Sequence, residues 1–170
     1  MKLRTWIPII SLVVAASSLR LISGGDENGC PVTKAPDNPF IPPPPHRPSK
    51  ANDGRFLYGT PALWTIVGTG WSGSKLPFFS REFDWKKEND PRLSVVARRL
   101  DGPATLVWSG WVNSGGPPYT TNGVKDDYTD NGFMVTELNL PTAGCWEISA
   151  RYAPERGRTQ NLTYTVRVRQ

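Results

Sequence analysis

The stretch PTAGCWEISARY, Pro141 to Tyr152, decides the fold. From Cys145 onward, Trp146, Ile148, Ala150 and Tyr152 alternate with Cys145, Glu147, Ser149 and Arg151. Successive side chains of a strand point to opposite faces, so this period of two predicts a half-buried β-strand with Trp146 in the core. The last run repeats the pattern, with Leu162, Tyr164, Val166 and Val168 set against Thr163, Thr165, Arg167 and Arg169. Between the two runs, APERGRTQN holds Pro154 and Gly157 and is short enough to close a hairpin.

Working outward, RLSVVARRL, ATLVWSGWV and FMVTELNLP are further runs of strand length separated by turn-rich pieces. Upstream, RFLYGTPALWTIVGTGW sets Phe56, Tyr58, Leu63, Trp64, Ile66 and Val67 among glycines and a proline, which predicts two short strands with turns. LPFFSREFDWKKENDPR is ambiguous: Phe79, Phe83, Lys86 and Lys87 suit a short amphipathic helix, while Phe78 and Trp85 fit it less well. The pattern contains no internal repeat and no long helix. The expected fold is all-β, an immunoglobulin-like antiparallel β-sandwich over residues 52–170.

Two segments precede that domain. Residues 1–25 carry a basic start with Lys2 and Arg4, an apolar run from Trp6 to Leu19, and small residues before Asp26. That order reads as a secretory signal peptide, cleaved after Ser18 or Gly25. The run is shorter than the ~20 apolar residues of a spanning helix, so contact with a membrane is expected only through an uncleaved signal anchor. Residues 26–51 include CPVTKAPDNPFIPPPPHRPSK, whose prolines favour an extended path, either a spacer or an arm laid along the domain.

Export changes the charge. The full chain carries 20 basic and 15 acidic residues, a net charge of +5. With residues 1–25 removed, Lys2, Arg4 and Arg20 leave with the signal, which brings the net charge to about +2 and gives no electrostatic footprint for nucleic acid. The adjacent pairs Lys86/Lys87 and Arg98/Arg99 read as solvated faces.

Catalytic chemistry finds little support. The single histidine, His46, lies in PPPPHRP, away from any rigid scaffold, which argues against histidine catalysis and against a His/Cys metal site. KDDYTDNG, Lys125 to Gly132, places Leu138 where a calcium loop needs a bidentate Glu, so a turn is the better reading. No cofactor or metal is expected. The sequon at Asn161 matters only in a eukaryotic secretory pathway, and the bacterial texture of the chain discounts it.

Seven tryptophans make the chain aromatic-rich. Trp108 and Trp111, three apart in one presumed strand, should point to opposite faces, with at most one in the core. Together with Tyr119 they form the candidate ligand-binding set, set against a reading in which both tryptophans simply pack. Three functions follow. The first is a non-enzymatic extracytoplasmic module that binds or supports an envelope protein or glycan. The second is a carbohydrate-binding module using Trp108, Trp111 or Tyr119. The third is a small hydrolase using carboxylates such as Glu82, Asp84, Asp126 and Asp127, which no spacing favours.

The two cysteines complete the reading. The alternation points Cys145 away from the core, and Cys30 heads the proline-rich segment, so an oxidising compartment favours a Cys30–Cys145 bridge. The alternative is a small, partly buried Cys145 with Cys30 a free thiol.

CPVTKAPDNPFIPPPP, FLYGTPALWTIV, PTAGCWEISARY and LTYTVRV, in this order, resemble a group of uncharacterised secreted bacterial proteins. The likeness runs from about Cys30 to Val168 and is loose from Trp71 to Asp130. It implies export and a β-rich domain, places both cysteines in shared segments, and brings no catalytic residue.

Overall fold

The computed structural model describes residues 29–38, 40–44, 54–68, 75–115, 120–121, 124–125 and 132–169. The expected signal peptide, His46, Trp71, Tyr119, Asp126 and Asp127 lie outside these residues.

The described chain is all-β and contains no helix. In order, the strands are β1 Phe56–Thr60, β2 Leu63–Val67, β3 Lys75–Phe79, β4 Leu93–Arg99, β5 Leu106–Trp108, β6 Val112–Gly115, β7 Thr120–Thr121, β8 Val124–Lys125, β9 Phe133–Glu137, β10 Gly144–Tyr152 and β11 Gln160–Val168. They form a five-stranded antiparallel sheet in the order β1-β2-β3-β9-β6, a four-stranded antiparallel sheet β11-β10-β4-β5, and the pair β7-β8.

The alternation in the opening stretch produces its predicted geometry. β10 and β11 pair over nine positions, from Gly144 opposite Val168 to Tyr152 opposite Gln160. Trp146, Ile148, Ala150 and Tyr152 from β10 and Leu162, Tyr164 and Val166 from β11 are buried in one hydrophobic cluster. Leu63, Val67, Leu76, Phe78 and Met134 of the five-stranded sheet join the same cluster, so the inner faces of both sheets share a core. Trp146 has no exposed surface, and its indole N–H donates to the Thr142 carbonyl at 3.1 Å.

A second cluster lies on the outer face of the five-stranded sheet. Trp64 and Ile66 alternate with the inward Leu63, Thr65 and Val67, and with Leu57, Phe79 and Phe133 they form an apolar patch. Phe40 covers it, its ring 5.6 Å from that of Trp64. Gly59 sits opposite Trp64 with φ of +136°, and a Cβ there would stand 2.3 Å from the Leu63 carbonyl oxygen. Only glycine fits that approach.

Three expectations need correction. The segment from Leu76 to Arg92 contains no helix. Its start is β3, where Phe78 faces the core and Phe79 the outer cluster, so both faces are covered and the period of two is lost in a continuous apolar run. Pro77 has no N–H to donate to β2. The two ladder positions of the β2–β3 pair end beside it, where the Thr65 hydroxyl donates to the Pro77 carbonyl at 2.6 Å.

Second, ATLVWSGWV is not one strand. β5 belongs to the four-stranded sheet and β6 to the five-stranded one. The Ser109 amide donates to the Val95 carbonyl, and the next amide, Gly110, donates to the Glu137 carbonyl. Two successive N–H groups thus bond to different sheets, and the chain crosses between them there. Third, neither Trp108 nor Trp111 is core, as the site geometry below shows.

Candidate functional site

Cys30 and Cys145 are disulfide-bonded, with Cα atoms 5.6 Å apart and a sequence separation of 115. Cys145 is on the outward side of β10, as the alternation predicts, yet both cysteines are buried. The cover comes from the proline-rich segment itself. The Thr33 amide donates to the Thr165 carbonyl at 2.9 Å, and the Thr165 amide donates to the Thr33 hydroxyl at 2.8 Å. The segment therefore begins at Cys30 on the outer side of the four-stranded sheet and bonds the β11 edge through Thr33, while Phe40 lies on the outer face of the other sheet. The Cys145 amide donates to Asp101 at 2.8 Å, and Asp101 also accepts from Arg99 at 3.1 Å. Desolvation opposes the charge of Asp101, but the bonds from Arg99 and from the Cys145 amide hold its carboxyl below the usual carboxylate range.

The aromatic candidates sit where the chain changes sheets. Trp108 is 66% exposed and Trp111 45% exposed, with Leu106 at 60%. On β5, Val107 packs against the core, so its neighbours Leu106 and Trp108 lie on the outer face. Across the sheet on that face runs the row Trp108, Val96, Ser149, Thr163, each directly opposite the next. The neighbouring row is Leu106, Arg98, Glu147, Thr165. Arg98 and Glu147 form an ion pair at 2.9 Å and keep much of their side-chain surface in solvent. The Ser149 and Thr163 hydroxyls share a hydrogen bond at 3.1 Å.

Trp111 belongs to other surroundings. Its indole N–H donates to Glu137 at 3.2 Å, and its carbonyl accepts from the Thr136 hydroxyl at 2.7 Å, both on β9 of the five-stranded sheet. The two tryptophans named together from the sequence are thus attached to different sheets. Arg98, Glu147 and Ser149 read from the sequence as solvated or outward-facing but not as site residues, and the same period of two that buries Ala97, Trp146 and Ile148 puts these three outside.

The described carboxylates of the hydrolase reading all have structural partners. Asp84 closes a turn, accepting from the Lys86 amide at 3.1 Å and pairing with Lys87 at 2.6 Å, and the Lys87 contact is the main reason its carboxyl is held below the usual range. Glu82 accepts from Gln160 at 3.4 Å. Glu88, which the sequence reading passed over, is buried and accepts from the Tyr152 hydroxyl at 2.9 and 2.8 Å through its two oxygens. Burial, then that bond to Glu88, pushes the Tyr152 hydroxyl far above its ordinary pKa.

Among the described residues, no group of three His, Cys, Asp or Glu could hold a metal ion. Among them, too, no helix is long and apolar enough to cross a membrane. No family model, curated protein or solved structure matches the chain.

Proposed function

We propose that this protein is a non-enzymatic extracytoplasmic module, an immunoglobulin-like β-sandwich strapped by its proline-rich arm, that binds a component of the cell envelope. The observation that carries the reading is the aromatic surface left in solvent beside the sheet crossing, greatest at Trp108. A folded domain gains from burying tryptophan, and one left in solvent on a rigid strand is available to a ligand. The buried Cys30–Cys145 bond supports an oxidising compartment, and the basic and apolar start of the chain supports export to it. The likeness to secreted bacterial proteins points the same way.

Glycan is the favoured component over envelope protein, because Trp108 shares its face with hydroxyls and an ion pair rather than with other large apolar side chains apart from Leu106. The test is co-sedimentation of the oxidised protein with envelope material from its own source, before and after protease treatment. Binding that survives protease supports a glycan-binding module. Binding lost with the protein content of the envelope assigns a protein partner instead. No binding to either preparation defeats the reading.

A further inference from the structure

We propose that the ligand face is the outer side of the four-stranded sheet, with Trp108 as stacking platform and the Arg98–Glu147 pair as hydroxyl reader for a neutral oligosaccharide laid across the strands. This rests on the glycan reading above and narrows it: Trp111 is not part of the site.

The inference starts from register. Trp108 stands on edge strand β5 and Thr163 on β11, three strand spacings away, on the order of 14 Å. The proline-rich segment closes the far side, since Thr33 bonds Thr165 at the β11 edge. The face thus has an exposed aromatic end, a polar middle and the N-terminal segment bonded along its far edge.

The chemistry of the middle selects the ligand. A sugar ring offers an apolar C–H surface, which suits an indole face, and hydroxyls that both donate and accept. Arg98 directs both of its bonds to one oxygen of Glu147, Oε1, through Nε at 3.2 Å and Nη2 at 2.9 Å. Neighbouring hydroxyls of one sugar can therefore donate to Glu147 Oε2 and accept from the remaining guanidinium N–H groups. Ser149 and Thr163, either of which can be the donor, supply the same dual capacity in the next row. Arg98 and Glu147 neutralise each other, so the pair itself offers an anion no net charge and suits a neutral sugar; exposed Arg151, opposite Ser94 and Asn161 in the row beyond Ser149, is the reason a polyuronate belongs in the test.

The experiment is native affinity electrophoresis of the oxidised exported chain through gels holding soluble neutral glucan, mannan or galactan, or a polyuronate. The expected result is retardation by a neutral polysaccharide, weakened about tenfold or more by Trp108→Ala and by Arg98→Ala or Glu147→Ala. Trp111→Ala should change it less than about twofold. The three platform side chains are exposed or part-exposed, and unchanged near-ultraviolet circular dichroism certifies the fold of each variant. Trp108→Phe, which keeps a flat ring, should retain part of the binding.

If no neutral polysaccharide retards the protein, the inference fails. If Trp111→Ala abolishes binding and Trp108→Ala spares it, the glycan reading survives and this face is wrong. A salt-sensitive preference for the polyuronate overturns the neutral class. Self-association in sedimentation that Trp108→Ala removes overturns the ligand site, making the face a contact between copies.

Discussion

Thr33 and Thr165 hold each other through two hydrogen bonds, amide to carbonyl at 2.9 Å and amide to hydroxyl at 2.8 Å. The contact joins residues 132 positions apart and uses backbone groups on the edge of β11. An edge strand with unpaired N–H and C=O groups invites pairing with another chain, and here the protein's own N-terminal segment covers one such position. Thr33→Val keeps the shape and removes the acceptor, leaving the largely buried Thr165 amide unbonded. The expected cost is about 1–3 kcal/mol in denaturant unfolding, with Thr33→Ser restoring most of it.

Trp146 and Glu147 are adjacent in sequence and opposite in environment. Trp146→Ala removes a fully buried side chain and should cost about 3–5 kcal/mol. Glu147→Ala removes one partner of a surface ion pair and should cost less than about 1 kcal/mol. Equal effects in urea unfolding would contradict the assigned faces of β10.

Tyr152 and Tyr164 predict the alkaline behaviour. Burial raises both hydroxyls above their ordinary pKa, aided at Tyr152 by Glu88. A raised folded-state value favours the neutral form, so the stability it contributes is complete below the unfolded value near 10 and is lost as pH rises above it. Phenolate absorbance from these two residues should therefore appear only together with unfolding. Tyr152→Phe removes the one hydroxyl proton shared between the two oxygens of a buried carboxylate and should cost about 1.5–3 kcal/mol at neutral pH.

Asp101 sets the acid limb. Its carboxyl is held low by Arg99 and by the Cys145 amide, so its contribution is present above the unfolded value near 3.9 and is lost as pH falls through the folded one. Asp101→Ala should lower the melting temperature at pH 7, and the difference from the parent protein should shrink as pH falls below the usual carboxylate range. A difference independent of pH would show that the charge is not what matters.

How much was legible depends on how each residue is surrounded. β10 and β11 each have one buried face, so their composition alternates and both register and Trp146 can be read directly. Cys145 was legible because a second cysteine existed to explain an outward one. β3 was not, because Phe78 and Phe79 are buried on opposite faces and the alternation disappears. The division of ATLVWSGWV between two sheets lies in the backbone bonds of Ser109 and Gly110, which leave no mark on side-chain chemistry. Trp108 is exposed because it lies on the outer face of β5 beside the inward Val107, and the face it shares with Arg98 and Glu147 emerged only with the register.

The Cys30–Cys145 disulfide is central, because it bonds the proline-rich segment to β10 and bears on the compartment proposed for the protein. By the chain-entropy model, a bridge closing so long a loop is worth up to about 4.7 kcal/mol. The direct measurement is thiol trapping and mass spectrometry of the protein recovered from cell fractions of its source. The account predicts extracytoplasmic protein that begins between Leu19 and Asp26 and has Cys30 joined to Cys145. Cytoplasmic protein retaining Met1, with both cysteines alkylated as free thiols, would contradict it.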